Sequence, residues 1–298
     1  MKQTFERVGD IRCTVGESPV WNPAQNAWYW VDIPARCIWQ LDAASGATRQ
    51  WRTGEMAACI AFAPDGAIIA GMETGVFRLE LGAGEAATAT LLAAPPELGP
   101  GMRFNDGRCD RQGRFWSGTM VMDMAAARPD GRLYRYTAAE GLSPPIVEGL
   151  ITQNGLAWSP DGTTMYLSDS HPARQTIWRF DYDVESGSPH NRRVFADMTA
   201  MRGRPDGAAV DCEGCYWICA NDGACLFRFT PSGKLDRTIE LPMTKPAMCS
   251  FGGAGMDTLL VTSIDPGNGA GGELAGAVLM VRPGVAGLPE TPFGTGIN

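Results

Sequence analysis

The chain has 298 residues, 44% of them hydrophobic, and a formal net charge of −8 at pH 7. This acidic balance, without any basic cluster, argues against nucleic acids and anionic membranes as partners. No apolar run approaches a membrane span and the first residues show no secretory signal, so we expect a soluble, cytoplasmic protein. Repetitive all-β architectures often reach this length as one unit, and we predict a single domain over residues 1–298.

Apart from Cys212 and Cys215, which form a Cys-x-x-Cys pair, the nine cysteines are scattered singly through apolar runs. This pattern predicts buried, reduced thiols and no disulfide framework. Cys212 and Cys215 flank a Glu-Gly pair that has the character of a hairpin turn. We therefore expect them to be strand residues and not ligands of a zinc site.

In chain order, one unit recurs six times. Its first copy has an apolar run at 28–33, followed by an alternating run at 37–42, as in a hairpin of half-buried strands. The clearest copy begins at 153–158 and turns through Ser159-Pro160-Asp161-Gly162, where Pro and Gly suit a tight turn. The equivalent pairs of runs lie at 66–72 and 75–79, 114–120 and 131–136, 165–170 and 176–181, 214–220 and 224–229, and 257–262 and 276–281.

These copies predict an all-β, six-bladed β-propeller with four antiparallel strands per blade. They recur at intervals of about 40 to 50 residues, the period of a propeller blade. Most copies end with a further weak strand, such as 49–51 or 235–240, which completes the blade. The N-terminal segment 6–13 has no copy before it, so we predict that it completes the last blade and closes the ring. The insertion at 123–128 is predicted to form a short helical turn.

Four polar side chains stand ten or eleven positions before an equivalent residue of their copies: Glu17 is 11 before Trp28, Asn105 is 10 before Phe115, Asn154 is 11 before Met165 and Asp206 is 10 before Tyr216. Because the first strand of each propeller blade lines the central channel, we expect these side chains to converge on the axis. Two carboxylates and two amides confined there would be unsatisfied without a cation, and hard divalent ions take such oxygen ligands. The remaining two copies have Met56-Ala57 and Lys245-Pro246 at this position.

The same residue types also occur in ordinary turns and in other kinds of catalytic site. Asn154-Gly155 and Asp206-Gly207, taken singly, are typical of turns, and only the shared register favours a metal site. With two histidines in the chain, a histidine-rich zinc site is excluded, and no Gly-x-Ser-x-Gly motif indicates a serine hydrolase. His171 follows a strand in a loop that could border the channel mouth, whereas His190 has the character of a surface turn.

Six motifs occur in order along the chain: Gly16 to Trp21, Arg103 to Gly107, Gly118 to Met120, Asn154 to Trp158, Pro205 to Gly207 and Cys249 to Gly253. Together they resemble the senescence-marker-protein, regucalcin and gluconolactonase family over nearly the whole chain. This resemblance implies a six-bladed propeller that hydrolyses sugar lactones with one divalent metal ion in its channel. By motif, Glu17, Asn154 and Asp206 are the implied metal ligands, and Asn105 and Arg103 are implied substrate contacts. Asp123, where many relatives have an acidic residue, is a further implied substrate contact.

The expected activity is that of a carboxylic ester hydrolase that opens an aldonolactone to its sugar acid. A Ca, Zn, Mn or Mg ion would polarise the lactone carbonyl, while a carboxylate activates water. Asp206 is the predicted base, acting through its free oxygen, and Asp123 is the reserve candidate. Two alternatives stay open: a non-catalytic propeller that binds a cation or partner, and a propeller esterase acting on aryl or phosphate esters. We expect a small-molecule sugar lactone as the partner and a monomer or weak homo-oligomer.

Overall fold

In the computed structural model, which describes residues 4–295, six antiparallel sheets are arranged in a ring. The first strand of each sheet contacts the first strands of the two neighbouring sheets, so these six inner strands line the central channel. The predicted six-bladed β-propeller is therefore confirmed. Within residues 4–295, no helix is long and apolar enough to cross a membrane.

The strands follow the chain blade by blade, after a first short strand, β1 (Phe5–Arg7). Blade 1 contains β2 (Gly16–Asn22), β3 (Ala27–Asp32), β4 (Cys37–Asp42) and β5 (Thr48–Arg52). Blade 2 contains β6 (Ala57–Phe62), β7 (Ile68–Met72), β8 (Val76–Leu81) and β9 (Ala87–Ala93). Blade 3 contains β10 (Met102–Cys109), β11 (Phe115–Val121), β12 (Gly131–Thr137), β13 (Gly141–Leu142) and β14 (Val147–Leu150).

The second half of the ring repeats this order. Blade 4 contains β15 (Gln153–Trp158), β16 (Thr164–Asp169), β17 (Thr176–Asp183) and β18 (Ser188–Asp197). Blade 5 contains β19 (Arg204–Val210), β20 (Tyr216–Asn221), β21 (Cys225–Phe229) and β22 (Leu235–Glu240). Blade 6 contains β23 (Pro246–Gly252), β24 (Thr258–Ser263) and β25 (Leu279–Val281).

Two blades depart from a plain four-strand sheet. In blade 3 the outer position is divided between β13 and β14, which both pair with β12. In blade 6 the outer position is taken by β1, which pairs antiparallel with β25. The predicted closure of the ring by the N-terminal segment is therefore confirmed. The predicted helical turn in the blade 3 insertion is a single turn of 3-10 helix, Met124–Ala126.

In blades 3 and 5, the hairpin turn between the first and second strands contains a buried aspartate. Asp110 Oδ1 accepts hydrogen bonds from the backbone amides of Gln112 and Arg114, which fixes the turn of blade 3. In blade 5, Asp211 Oδ1 accepts in the same way from the amides of residues 213 and 215, and its Oδ2 accepts from the indole of Trp217. These contacts satisfy carboxylates that would otherwise be costly to bury.

Every inner strand carries a β-bulge close to its first residues. The pairing register between first and second strands shifts by one residue in all six blades. Bulges re-aim side chains and often occur beside functional sites. Six bulges at one level therefore produce a ring of re-aimed side chains at the end of the channel where the inner strands begin.

The opposite end of the channel is crossed by the segment that follows β25, residues 282–295. Its backbone pairs with the hairpin turn of blade 5 through Cys212 N to Ala286 O, 3.0 Å. It then reaches blade 2, where Phe293 N donates to Phe62 O at 2.7 Å, and the Phe293 ring stacks on Tyr136 of blade 3. This C-terminal segment joins blades that are not neighbours in the chain.

All nine cysteines are free, and eight of them are buried, as predicted. The prediction was wrong for Cys212, which is exposed, and for its placement in a strand together with Cys215. Both residues belong to the turn between β19 and β20, because Asp211 organises the backbone of residues 213 to 215.

Candidate metal and substrate site

The four polar side chains singled out by register all lie at the bulges of the inner strands. Glu17 on β2 and Asn154 on β15 are the last paired residues before their bulges. Asn105 on β10 and Asp206 on β19 stand one position later, inside their bulges. The alternative that Asn154 and Asp206 belong to turns is wrong, since both are within strands.

Glycines directly follow Asn154 and Asp206, where the inner strands approach closely at the axis. A Cβ on Gly207 would stand 2.3 Å from Met248 Cγ of blade 6. A Cβ on Gly155 would stand 2.6 Å from the hydroxyl of Tyr216 in blade 5, and Gly155 also has a φ of +67°. The glycines thus allow adjacent blades to bring their polar side chains together.

Asn105 and Asn154 are in direct contact across the boundary between blades 3 and 4. Asn105 Nδ2 donates to Asn154 Oδ1 at 3.1 Å and to the backbone oxygen of Gln153 at 2.7 Å. Asn154 Nδ2 donates to Ser170 Oγ at 2.7 Å, which directs the amide oxygen of Asn154 away from Ser170. Arg103 Nη1 donates to Asn105 Oδ1 at 2.7 Å, so this guanidinium lies beside the same cluster.

Glu17 and Asp206 are buried carboxylates whose charges influence each other. Burial raises the pKa of Glu17 well above its usual range, and the charges of Asp206 and Asp106 raise it further. Burial also raises the pKa of Asp206 to about 7, against the opposing effects of Arg204 and a hydrogen bond from Asn221. Blades 1 and 5 therefore place two carboxyl groups in one poorly solvated region.

A chain of polar contacts from blade 5 supports Asp206, and most of it was not foreseen from the sequence. Asn221 Nδ2 donates to Asp206 Oδ2 at 2.7 Å, and Asn221 Oδ1 accepts from Arg204 Nη2 at 3.1 Å. Arg204 also donates to Asp222, which pairs with Lys245 at the rim. Asn221 could have been found by its position, since it ends an otherwise apolar second strand at the level of the site.

Asp106 is a second residue that the sequence did not single out. It follows Asn105 in the bulge of β10, and its Oδ2 accepts from the backbone amide of Leu156 at 2.8 Å. Its Oδ1 is buried without a hydrogen-bond partner. Burial raises the pKa of Asp106, and the Asp106 charge in turn raises the pKa of Glu17. It contributes a third acidic group to the region around Glu17 and Asp206.

Asp123 lies apart from this cluster, in the exposed blade 3 insertion. Its Oδ1 accepts from Ala125 N at 3.1 Å and caps the 3-10 turn. The next residue, Met124, contacts blade 4, where its backbone oxygen lies 3.1 Å from His171 Nε2. The insertion is therefore held at the site end of the channel, while no contact joins Asp123 to Glu17 or Asp206 among the described residues.

The donor set at this end of the channel suits a hard divalent cation. It offers carboxylate oxygens of Glu17 and Asp206 and the amide oxygen of Asn154 in a buried setting, which are ligands that such ions prefer. Burial is the main cause that raises the pKa values of both carboxyl groups, and a bound cation would favour their charged forms.

A second acidic cluster, at the opposite end of blade 5, does not fit a cation. Asp211, Glu213 and Cys215 offer ligand atoms within 4.8 Å of one another. The guanidinium of Arg228 already pairs with both carboxylates, with Nε 2.8 Å from Asp211 Oδ2. This cluster is a structural ion pair that holds the turn.

Residues 15–265 match the family model described as the SMP-30/Gluconolactonase/LRE-like region. A 6-deoxy-6-sulfogluconolactonase of Pseudomonas putida is 33% identical over 98% of this chain and 99% of its own. Regucalcin of Sus scrofa is 33% identical over 94% of this chain and 95% of its own.

The solved structures agree with the sequence relatives. A calcium-binding regucalcin from Agrobacterium tumefaciens superposes with a TM-score of 0.89 and is 26% identical, over 98% of both chains. The resemblance carried by the sequence motifs is thereby confirmed. The family model matches most of the chain, and two relatives align with it nearly from end to end. The chain therefore belongs to the SMP-30/Gluconolactonase/LRE-like family.

Proposed function

We propose that this protein hydrolyses a sugar lactone to the corresponding sugar acid, using one divalent cation at the bulge ring. The main support for the proposal is the pair of buried carboxyl groups, Glu17 and Asp206, at the same ring of bulges as the hydrogen-bonded pair Asn105 and Asn154. Its membership of a family whose relatives include a named sulfogluconolactonase supports lactone chemistry.

Glu17, Asn154 and Asp206 would hold the cation. When bound, a divalent cation supplies Lewis-acid polarisation of a carbonyl oxygen and stabilises negative charge that develops there. Ca, Zn, Mn and Mg all accept oxygen ligands of this kind, and the choice among them is open.

Asp206 would take the proton of the attacking water. Asn221 Nδ2 donates to Oδ2 of this carboxylate at 2.7 Å and so fixes the orientation of Asp206. Arg204 donates to Asn221 Oδ1 and holds the Asn221 side chain in place. As the water oxygen bonds to the lactone carbonyl carbon, its proton passes to Asp206. The ring C–O bond then breaks, and the proton moves to the departing ring oxygen. Asp123 is the second candidate for this role, from the insertion at the channel mouth.

Arg103 and Asn105 would orient the sugar hydroxyls. Arg103 is half-buried next to Asn105, and burial lowers the pKa of its guanidinium while Glu17 and Asp206 oppose that change. A cation fixed by neighbouring acids can donate several hydrogen bonds in a set geometry, which suits a polyhydroxylated ring.

The test is hydrolysis measured with a pH indicator in the presence of each cation and after chelation. The panel contains gluconolactone, galactonolactone, arabinonolactone and xylonolactone, with 6-deoxy-6-sulfogluconolactone for comparison with the relative. We expect turnover that requires a cation and falls by at least about 100-fold in Asp206→Asn and Asp206→Ala at saturating cation. The matched control is Asp181→Asn, an exposed carboxylate on β17 that pairs with Arg193.

Other outcomes point to the alternatives. Cation binding without hydrolysis of any lactone would favour a non-catalytic binding propeller. Faster hydrolysis of aryl acetates than of lactones would favour an aryl esterase. Near wild-type turnover in Asp206→Asn would remove Asp206 from the mechanism and transfer the test to Asp123→Asn.

A further inference from the structure

A cavity of about 260 Å³ lies in the channel on the other side of the bulge ring from the candidate metal site. Ser18 and Gly107, which directly follow Glu17 and Asp106, are part of its lining. It extends to the exposed hairpin turns of blades 1 and 2 at Pro23 and Pro64, and residues 290–292 of the C-terminal segment form another wall. The cavity and the metal site thus occupy opposite ends of one channel.

The walls of this lower cavity are predominantly apolar. They include Val20 and Trp21 from β2, Ile60 and Phe62 from β6, and Met248 from β23. An apolar cavity that polar groups do not fill is a favourable site for an apolar ligand. Ligand sites in proteins range from about 300 to 1,000 Å³, so this volume suits a molecule with a single small ring.

Two charged side chains, Arg108 and Glu290, also line the cavity. Arg108 is only 8% exposed, and its Nη2 donates to Ala208 O at 2.8 Å. Its Nη1 lies 3.6 Å from Glu290 Oε1, which is an ion pair beyond hydrogen-bonding distance. Its Nε is buried and has no hydrogen-bond partner. A cavity ligand cannot reach that atom, so the donor it meets is Nη1, which has no hydrogen-bonded acceptor among the described residues, and a carboxylate is the acceptor that matches guanidinium geometry.

Glu290 is supplied by the C-terminal segment and not by a blade. The segment is anchored on either side of it, by Arg111 Nη1 to Pro289 O at 3.3 Å and by Phe293 N to Phe62 O at 2.7 Å. Glu290 therefore stands beside Arg108 as an internal counter-charge, but at 3.6 Å it leaves Nη1 without a hydrogen bond. A ligand carboxylate entering the cavity would compete with Glu290 for the same guanidinium.

We propose that the lower cavity is a second binding site, which takes a small aromatic monocarboxylate. The ring of the ligand packs against Trp21 and Phe62, and its carboxylate accepts hydrogen bonds from Arg108. The site is separate from the candidate metal centre, and the proposal does not depend on lactone hydrolysis.

The probe is 4-fluorobenzoate, followed by fluorine NMR with the full chain, once with chelator and once with saturating Ca²⁺. We expect saturable binding that does not require the cation. Arg108→Met should weaken it by at least about tenfold, the value of a charge-assisted hydrogen bond. The neutral analogue 4-fluorobenzyl alcohol should bind more weakly to the wild type and be little affected by Arg108→Met. Ala63→Leu, which fills part of the cavity, should weaken both probes.

Glu290→Gln is the variant that separates binding from stability. It removes the internal competitor of the ligand, so we expect 4-fluorobenzoate to bind more tightly, a change that partial unfolding cannot imitate. Arg103→Met, at the other end of the channel, should leave the probe's affinity unchanged.

The proposal is overturned if 4-fluorobenzoate shows no saturable binding at millimolar concentration, which would leave a cavity that holds only water. It is also overturned if Arg103→Met abolishes binding while Arg108→Met does not. Equal affinity for the neutral analogue would rule out a carboxylate ligand, and unchanged or weaker binding to Glu290→Gln would rule out competition at Arg108.

Discussion

At the scale of single residues, one repeat position performs two different tasks. Asp32 and Asp169 end the second strands of blades 1 and 4, where their carboxylates accept from backbone amides that lead into the first strands. Asn221 ends the second strand of blade 5 at the same register, but it donates to Asp206 instead. Sequence spacing located Asp206 because acidic residues in register are conspicuous. Asn221 was missed because its signal is weaker, a single amide at the end of an otherwise apolar second strand.

The close approach of inner strands gives a test at Gly207. In Gly207→Ala the new Cβ would stand 2.3 Å from Met248 Cγ and 2.8 Å from its Cα, so backbone would have to move. We expect the free energy of unfolding, measured in urea, to fall by about 1–3 kcal/mol. Gly84→Ala is the matched control, since no atom lies within 4 Å of its added Cβ. Equal stability of the two variants would contradict the packing described for blades 5 and 6.

The buried carboxyl groups predict how the stability of the cation-free protein depends on pH. Folding raises the pKa of Asp206 from 3.8 to about 7 and that of Glu17 well above 4.5, so the folded state binds protons that the unfolded state has released. Raising the pH from about 5 to about 8 therefore lowers this contribution to the free energy of unfolding.

The urea concentration at the midpoint of unfolding, measured with chelator present, should therefore decline as the pH rises from about 5 to about 8. The decline should be steeper in the wild type than in Asp206→Asn. Saturating cation should reduce or abolish the decline, because it favours the charged carboxylates. A midpoint that rises with pH in chelator, to a similar extent in both proteins, would contradict the assignment of raised pKa values.

At the scale of strands and turns, the sequence predicted the elements that depend on the local order of apolar and turn-forming residues. Alternating apolar runs and Pro-Asp-Gly turns located the second and third strands of each blade to within a few residues. The bulges were not predicted, because an extra residue in a strand leaves the apolar pattern nearly intact. The bulges did affect the sequence spacing, because the distance from Glu17 to the following apolar run is one residue longer than the distance from Asp206. The pairing register explains this difference, since Glu17 precedes its bulge and Asp206 lies within one.

The turn of blade 5 provides a test of an element. Asp211 accepts from Trp217, from Arg228 Nε at 2.8 Å and from two backbone amides. Asp211→Ala leaves these donors buried without that acceptor, and we expect a loss of about 3–5 kcal/mol in the free energy of unfolding. Asp181→Ala removes an exposed ion pair with Arg193 and should change stability little. Similar urea midpoints for the two variants would show that the Asp211 contacts do not hold the blade.

At the scale of the whole molecule, the ring depends on contacts between the two ends of the chain. The absence of a preceding repeat predicted the role of β1, whereas the path of residues 282–295 was not foreseen. This segment contains glycines and prolines without periodicity, and its anchors are backbone contacts to Met256, Cys212 and Phe62 on three blades. Such contacts leave no pattern in a linear sequence, since they depend on how the blades are already arranged.

Removal of β1 tests the closure. A chain that begins after Arg7 would lose the pairing of three residues with β25, at about 1 kcal/mol for each hydrogen bond, and would expose a strand edge. We expect a lower melting temperature and association that depends on protein concentration, measured by calorimetry and light scattering. A synthetic peptide of residues 1–13 should restore both properties, and a scrambled peptide should not. An unchanged melting temperature would mean that the ring is held without this strand.

The pairing of β1 with β25 also has a consequence for the order of events during protein synthesis. Translation at about 5–20 residues per second separates the emergence of these two strands by roughly 15–60 s, whereas hairpins form within microseconds. Blades 1 to 5 can fold while the ribosome is still working, but blade 6 cannot be completed until β25 has left the exit tunnel. During that interval β1 is a strand without its partner, so the ring closes only when synthesis is nearly complete.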